Sequence, residues 1–387
     1  MRKKAALGLA GALFACLTAG AAHTLLGTCG PFTDVSDVAF CPFVLEIFTL
    51  GITTGTMPTT YDPSSNVTRL QMAAFLSRTV DGVLTRGSAR AARGRFWPSQ
   101  GSQGLAVTTL AWYGGDVKSD GSDLWVASYG LVSRVRASDG RVLETWDGDA
   151  GGTGVLVALG QIFVGGWTKP GSLYRLDPSQ PAGTVTTLST ALGDSPYELT
   201  FDGTRIWTAN QGGSVSIVTP GATLPWTVTT VTAGFSVPSG AIYDGSNVWI
   251  AELNPGRLVR LDANGAILQT VTCGGACGLP AFDGTNLWVP AFELGNSFVL
   301  AVRASTGAVL ATLTGNGVDE PQGAAFDGQR VMVISLGTTA GSLSLFKAAD
   351  LSPLGSISTG FDPPQFVCSD GVDFWVTFGG SYELARF

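Results

Sequence analysis

A short motif recurs along the C-terminal two-thirds of the sequence. It is an Asp-Gly pair followed by two variable residues, an apolar residue and, in most copies, Trp. Clear copies begin at Asp120, Asp202, Asp244, Asp283, Asp327 and Asp370. A weaker copy at residues 160–163 fills the one long gap, so seven units follow one another at intervals of 39 to 44 residues. Repetition at this period indicates a supersecondary unit that buries its apolar faces only against its neighbours.

Each unit reads as four short strands. The first strand runs into the Asp-Gly turn, the second carries the Trp, the third alternates in polarity, and the fourth follows a further turn. Asp-Gly between apolar runs favours a hairpin, because Gly accepts the positive φ that such turns require. With 53 glycines and only 13% charged residues, the composition suits short strands and tight turns. Four-stranded units at this period are typical of β-propeller blades, and seven blades lie within the usual range.

The two ends of the repeated region fit together. The last unit stops at Phe387 after its third strand, and a strand-like run at residues 105–112 precedes the first motif. This run can complete the last blade and remove a free sheet edge. We therefore predict a mainly β fold, a seven-bladed β-propeller over residues 104–387 with an N-terminal strand closing the last blade.

The repeated aspartates and tryptophans have structural explanations. Asp in a hairpin turn accepts hydrogen bonds from its own backbone, so we predict turn formation, with calcium binding as the alternative. The Trp column is predicted to pack between neighbouring blades, with sugar stacking as the alternative.

The first residues carry a targeting signal. Arg2, Lys3 and Lys4 precede an apolar stretch at 5–15 that is too short to span a bilayer, and small residues follow at 19–22. The pattern predicts a secretory signal peptide over residues 1–22, with lipidation at Cys16 as the alternative. The signal peptide predicts an exported envelope, cell-surface or periplasmic protein, and no other segment is long and apolar enough for a membrane helix. The formal net charge of -7 argues against a nucleic-acid partner.

Residues 23–85 form a small helical module in this interpretation. Pro42 suits the first position of a helix whose apolar residues Phe43, Val44, Ile47 and Phe48 recur at helical spacing. A second helix is predicted to open with a capping box between Thr68 and Gln71. Its apolar face is predicted to consist of Met72, Phe75, Leu76, Val80 and Val83.

The order of these signals resembles the S-layer homology domain. The matching blocks are residues 32–35 (FTDV), 50–55 (LGITTG), 61–63 (YDP) and 67–76 (VTRLQMAAFL). The resemblance implies attachment to cell-wall polysaccharide or peptidoglycan, with Asp34 and Arg69 at ligand-associated positions. Arg suits this role because its planar fork can pair with a carboxylate in bidentate fashion. The sequence departs from the family in carrying Gln71 in place of Glu and in having one copy where three are usual.

Residues 86–103 and the cysteines complete the organisation. Arginines among Gly, Ser and Ala predict a solvated linker over 86–103, with contact to an anionic polymer as the alternative. In an exported protein, Cys29 with Cys41 and Cys273 with Cys277 could form disulfides. Metal binding is the weaker interpretation of both pairs, since the sequence has a single histidine. Cys368 lies in an apolar strand and is predicted to be a buried thiol.

The repeats resemble the NHL and virginiamycin-lyase-like propellers, with SMP-30-type lactonases as more distant relatives. The lyases of this group depend on a catalytic histidine that residues 104–387 lack, and no lactonase-like set of metal ligands is recognisable. We therefore assign no catalytic residue, no metal site and no cofactor, apart from calcium as an open possibility.

One face of the propeller is the expected place for a site. Loops between second and third strands and between blades meet there around the central channel. The candidate residues on this face are Tyr129, Trp167, Asn210, Glu252, Asn254, Glu293 and Glu320. Glu252 and Glu293 hold equivalent places in adjacent units, so they could hold a metal or do acid–base chemistry, or form an acidic rim. We predict a wall-attached platform for a protein or glycan partner; the alternative is a metal-dependent hydrolase or lyase.

Overall fold

A computed structural model describes most of the chain in two compact units, residues 1–92 and 93–387. The described residues are 29, 32–37, 40–49, 53–57, 59–76, 79, 106–147, 152–183, 185–293, 295–338, 340–360 and 362–387. The predicted signal peptide, Cys16, the linker arginines, Val80 and Val83 lie outside these residues.

The described residues of the N-terminal unit include two short helices, α1 (Cys41–Thr49) and α2 (residues 69–76). The predicted capping box is confirmed: the Thr68 amide donates to Gln71 Oε1 at 2.8 Å, and the Gln71 amide donates to Thr68 Oγ1 at 3.2 Å. A disulfide joins Cys29 to Cys41, whose Cα atoms lie 5.5 Å apart. Beside it, Phe32, Val35 and Val44 form a small buried cluster.

The predicted apolar face of α2 is largely exposed. Met72 is 47% exposed and Leu76 60% exposed, whereas Phe75 is partly buried. The buried cluster around Phe32 is small, and it covers α1 through Val44 rather than this face of α2.

Within the described parts of residues 106–387, seven antiparallel sheets follow one another along the chain. The first four sheets contain β2 (Val117–Ser119), β3 (Asp123–Ser128), β4 (Leu131–Arg136), β5 (Val142–Asp147); β6 (Gly154–Ala158), β7 (Gln161–Gly166), β8 (Gly171–Leu176), β9 (Val185–Leu192); β10 (Pro196–Phe201), β11 (Ile206–Asn210), β12 (Ser214–Thr219), β13 (Thr227–Val231); and β14 (Pro238–Tyr243), β15 (Val248–Glu252), β16 (Arg257–Leu261), β17 (Ile267–Thr272). The last three contain β18 (Ala276–Cys277), β19 (Ala281–Phe282), β20 (Asn286–Glu293), β21 (Asn296–Arg303), β22 (Ala308–Leu313); β23 (Pro321–Phe326), β24 (Arg330–Ser335), β25 (Gly341–Lys347), β26 (Pro353–Gly360); and β27 (Pro364–Ser369), β28 (Phe374–Phe378), β29 (Glu383–Arg386) with β1 (Ala106–Thr109). These sheets are the blades of a seven-bladed β-propeller, numbered 1 to 7 in chain order.

The seventh blade draws on both ends of this unit. Strand β1 runs antiparallel to β29, with Val107 opposite Ala385 and Thr108 opposite Leu384. The Thr108 hydroxyl also donates to the Gly140 carbonyl of blade 1 at 2.8 Å. Trp375 of blade 7 shares a buried cluster with residues of blade 1, so the first and last blades pack against each other.

The motif aspartate uses both of its carboxylate oxygens. Asp244 Oδ1 accepts the amides of Ser246 (2.8 Å) and Asn247 (2.7 Å), which forms the predicted turn. Its Oδ2 accepts the indole N–H of Trp249 at 2.7 Å. The same indole bond joins the pairs Asp120–Trp125, Asp202–Trp207, Asp283–Trp288 and Asp370–Trp375. In blade 6 Met332 replaces Trp, and Asp327 Oδ2 accepts Arg330 Nε at 2.7 Å instead.

The tryptophans pack between neighbouring blades, as predicted. Trp249 is fully buried and shares a cluster with Leu287, Val289 and Leu300 of blade 5. Because burial hides the indole N–H from water, the turn aspartate supplies the acceptor that this donor needs. The Asp244–Trp249 pair thus contributes both to the turn and to the packing between blades 4 and 5.

The Asp–Trp pair predicts the cost of removing the turn carboxylate. Asp244→Ala would leave the buried Trp249 donor and two turn amides without acceptors, so we expect the free energy of unfolding to fall by about 2–3 kcal/mol. Urea unfolding followed by tryptophan fluorescence measures this change. The control is Asp350→Ala, which removes an exposed turn carboxylate and should leave stability unchanged. Equal losses in the two variants would contradict the role given to the indole bond.

Candidate functional site

The innermost strands share an irregularity near their first residues. In blades 3, 4, 6 and 7 the strand begins with a buried proline, at Pro196, Pro238, Pro321 and Pro364. Pairing then slips by one residue: Pro196 lies opposite Asn210, whereas Glu198 lies opposite Ala209. Such a bulge leaves one extra residue out of the ladder, and proline at the first position of a strand forfeits no ladder hydrogen bond there.

The extra residues come together around one cavity. Tyr197, Ser239, Gln322 and Gln365 are the residues skipped by the pairing, and all of them line a cavity of about 70 Å³. The remaining lining residues are Leu253, Gly278, Leu279 and Leu336. Because five blades contribute to its wall, the cavity lies at the propeller axis. It is on the face where the loops between second and third strands meet, which is the face predicted from the sequence to hold a site. We call it the axial mouth.

The predicted candidates on this face differ in accessibility. Tyr129 is 72% exposed, and Asn254 and Glu293 are also exposed. Trp167 is partly exposed and meets Tyr197 edge to face at 5.9 Å, so it extends the aromatic wall of the axial mouth. Glu320 is partly buried, and its backbone amide donates to Ser297 Oγ at 2.8 Å.

Two of the candidates are committed to internal contacts. Glu252 is fully buried, accepts the Ser236 amide at 2.7 Å and forms an ion pair with Arg257. Asn210 is fully buried and donates to Ser214 Oγ and Ser216 Oγ. On this face of the propeller the side chain of Glu293 is therefore accessible to a ligand, whereas that of Glu252 is not. The two glutamates do not form an accessible carboxylate pair.

A buried charge cluster lies deeper along the inner strands. Lys118 Nζ bonds Asp116 Oδ1 at 2.8 Å in its own blade and Glu198 Oε1 at 2.9 Å in blade 3. Asp116 Oδ2 also accepts the Val155 amide of blade 2 at 3.0 Å. The sequence analysis did not identify these residues, which lie in or next to the innermost strands that precede the Asp-Gly turns of blades 1 and 3.

Burial and mutual repulsion perturb the acids of this cluster. Burial raises the pKa of Glu198 to about 8, with the charge of Asp116 adding to the effect. Burial opposes the charge on Lys118, but the two carboxylates outweigh it, so the pKa of Lys118 is raised. Asp116 holds two backbone amides besides the ammonium, whereas Glu198 Oε2 is buried with no hydrogen-bond partner among the described residues. Burial raises the pKa of Asp116 as well, but its hydrogen bonds favour the charged carboxylate, whereas Glu198 has fewer such bonds to oppose its protonation.

This arrangement can hold a proton and tie three blades together. Perturbed acids near a cavity are typical of functional sites, although structural ion pairs perturb them too. Among the described residues, no group of three or more His, Cys, Asp or Glu side chains is placed to hold a metal ion. Cys368, on the inner strand of blade 7, is a buried free thiol whose pKa is raised by burial. Cys273 and Cys277 are joined by a disulfide.

In the N-terminal unit the two predicted ligand residues have different roles. The Asp34 carboxylate accepts the backbone amides of Tyr61 (2.9 Å) and Asp62 (2.7 Å), and the bond from Tyr61 lowers its pKa. Asp34 thus fastens one segment of the unit to another. Arg69 lies exposed in the first turn of α2, and its guanidinium has no partner within the described residues.

Comparison with known proteins supports both units. Residues 31–73 match the family model described as S-layer homology domain. Domains of this family bind cell-wall polymers, and the match indicates a protein of the bacterial cell surface or envelope. No curated protein matches the chain. No helix of the described residues has the length and apolarity to cross a bilayer.

Several solved structures resemble the chain at low sequence identity. The WD40 β-propeller domain of Doa1 has a TM-score of 0.59 at 15% identity, covering 73% of this chain and 95% of that one. A subunit of Kuenenia stuttgartiensis hydrazine synthase has a TM-score of 0.60 at 15% identity, covering 72% and 97%. The computationally designed Ika8 protein has a TM-score of 0.56 at 11% identity, covering 74% and 99%. These likenesses concern the fold alone.

The raised pKa of Glu198 predicts a pH dependence of stability. A carboxyl whose pKa rises from 4.5 to about 8 on folding binds its proton more tightly in the folded state. Its stabilising contribution is complete below about pH 4.5 and is lost as the pH rises through about 8. We expect the free energy of unfolding to fall over this interval and Glu198→Gln to flatten the fall. Urea unfolding at a series of pH values measures it; identical slopes in the two proteins would contradict the assignment.

Proposed function

We propose that this chain is an exported, wall-attached binding protein of the bacterial envelope. In this proposal the S-layer homology domain attaches to a cell-wall polysaccharide or peptidoglycan, and the propeller presents the axial mouth to a protein or glycan partner. The observation that carries the proposal is the family match at residues 31–73 in a chain whose other unit is a propeller.

Arg69 is the residue of the N-terminal unit best suited to the wall polymer. It is exposed, lies in the first turn of α2 and makes no internal bond within the described residues. Its planar guanidinium is free to pair with an acidic group of the polymer in bidentate fashion. Asp34 contributes differently, by holding the segment at residues 61–62 that leads toward α2.

The axial mouth has the features of a polar recognition surface. Tyr197, Gln322 and Gln365 are partly exposed there and combine an aromatic ring with amide donors and acceptors. Trp167 and Tyr129 add aromatic area on the same face. Exposed aromatic and amide side chains on rigid strands suit binding more than they suit acid–base chemistry, for which accessible titratable pairs are needed. This contrast favours a binding role over the hydrolase or lyase alternative.

The proposed attachment predicts a role for Arg69 in wall binding. The full chain should co-sediment with purified sacculi, and Arg69→Ala should lower the affinity roughly tenfold or more, because a charge-assisted hydrogen bond contributes about 1.5–3 kcal/mol. Arg69→Lys should recover only part of it, since Lys keeps the charge but not the planar fork. The measurement is the bound fraction as a function of sacculus concentration.

The matched control is Arg141→Ala, which removes an exposed arginine from the propeller with the same change in charge. It should bind as the parent does. Sedimentation of the parent at background level would overturn attachment itself, whereas equal losses in the two variants would show that only net charge matters.

A further inference from the structure

A cavity of about 300 Å³ lies between blades 6 and 7, beside the outermost strands of both blades. Ile357 and Ser358 of β26 line it from blade 6, and Val107 of β1 and Ala385 of β29 line it from blade 7. None of its described lining residues belongs to the axial mouth, so it is a separate place on the propeller. Its volume is at the lower end of the range of about 300–1,000 Å³ that ligand pockets occupy, so it suits a single side chain or a small molecule. We call it the outer cleft.

The cleft exists because the outer strand of blade 6 packs less fully against the next blade than that of blade 1 does. In blade 1, Trp146 lies opposite Val132 and is buried in the cluster between blades 1 and 2. In blade 6, Ile357 lies opposite Leu343, and Leu343 belongs to the buried cluster between blades 6 and 7. Ile357 itself is partly exposed and lines the cleft. The smaller side chain thus leaves a space that Trp146 fills in blade 1.

Most of the surface that faces the cleft is apolar. Phe378 and Ala385 line it as buried residues, whereas Val107, Ile357 and Phe387 keep part of their surface exposed. Hydrocarbon that packs against these side chains removes apolar surface from water on both sides. A bare ion gains nothing from such walls, so the walls favour a ligand with an aliphatic part.

Two carboxylates give the cleft a negative charge. Asp362 and Glu383 are the charged residues among the described residues that line it. Glu383 is partly exposed, and its carboxylate makes no hydrogen bond or ion pair with the described part of the chain. Asp362 is also partly exposed; its Oδ1 accepts the Gly380 amide at 2.8 Å, which leaves Oδ2 for a ligand. A ligand therefore meets accessible negative charge beside apolar walls.

The arginine next to the cleft in the sequence is committed elsewhere. Arg386 stands between Ala385 and Phe387, but successive side chains on a strand point to opposite faces of the sheet. Arg386 is only 2% exposed and forms an ion pair with Asp373. It does not line the cleft, so the carboxylates there await a cation from outside the described chain.

The strand beside the cleft also has free backbone groups. β26 pairs with β25 on one side and has no partner on its other side among the described strands. Ser356 and Ser358 are exposed along it. An exposed edge of this kind accepts an extended peptide through main-chain hydrogen bonds, while pockets beside it select particular side chains. This edge favours a polypeptide over a free small molecule as the source of the cation.

We propose that the outer cleft binds the lysine side chain of a partner polypeptide. The ammonium pairs with Glu383, and the charge of Asp362 attracts it further. The methylenes of the lysine pack against Val107, Ile357 and Phe387. A metal ion satisfies only the carboxylates, and a neutral aliphatic side chain satisfies only the walls. The inference is independent of wall attachment through residues 31–73 and of the axial mouth.

Methyl NMR titration of the full chain, labelled at valine and alanine, tests the cleft. The probe is the peptide acetyl-Ser-Val-Lys-Val-Ser-amide, and the comparison is the same peptide with norleucine, which keeps the stem of lysine without its charge. We expect the lysine peptide to shift the methyl signals of Val107 and Ala385, and the norleucine peptide to bind at least tenfold more weakly. Butylammonium, a free amine with the same stem, should also bind more weakly than the lysine peptide.

Glu383→Gln should weaken binding of the lysine peptide roughly tenfold or more, in line with loss of a charge-assisted pair. The matched control is Asp147→Asn, which makes the same change in charge at an exposed position on the outer strand of blade 1. It should bind the peptide as the parent does.

A second variant gives blade 6 the arrangement of blade 1. Ile357→Trp fills the cleft, so it should abolish peptide binding without lowering the free energy of unfolding. The proposal is overturned if the norleucine peptide binds as tightly as the lysine peptide, if Glu383→Gln binds like the parent, or if Val107 and Ala385 do not shift. Butylammonium binding as tightly as the lysine peptide would overturn the polypeptide as the source. Glu383→Gln decides the matter on its own if Ile357→Trp does not fold.

Discussion

The hydrogen bond between the motif aspartate and the Trp indole is the contact on which the propeller depends most. It spans five residues, so the acceptor that forms the turn also satisfies a donor buried between two blades. A buried donor without an acceptor is costly, and a large ring between sheets supplies much of the interblade apolar contact. Each such pair therefore joins the inner hairpin of one blade to the packing against the next.

The inner hairpins in turn position the candidate site. Because the Asp-Gly turn holds one end of the innermost strand, the slip in pairing falls at the other end, behind the first proline. The residue left out of each ladder is then presented at the axis. The bulged residues that line the axial mouth are thus carried by strands rather than by long loops, which favours a preformed surface.

Differences among the blades are as informative as their likeness. The cluster of Asp116, Lys118 and Glu198 occurs where most inner strands carry apolar or small residues. A repeated scaffold keeps its turns and core constant, so chemistry arises where one copy departs from the others. Blade 6 departs from the others in the same way: Met332 replaces Trp, and Arg330 donates to the motif aspartate instead.

Much of the architecture was predictable from the sequence, because turns and strands depend on neighbours in the chain. The motif period predicted the blades, the Asp-Gly pairs predicted the hairpins, and Thr68 with Gln71 predicted the start of α2. Even the axial bulges had a signal, since a proline precedes the motif aspartate by six residues in blades 3, 4, 6 and 7.

What the tertiary structure alone decided are the contacts between distant residues. Lys118 and Glu198 meet although 80 residues separate them, because the ring brings inner strands of different blades to one axis. The burial of Glu252 with Arg257 and the exposure of Met72 likewise depend on which side chains of neighbouring elements reach a given point. Local sequence specifies strands and turns through backbone preferences, whereas accessibility and charge pairing follow from how those elements pack.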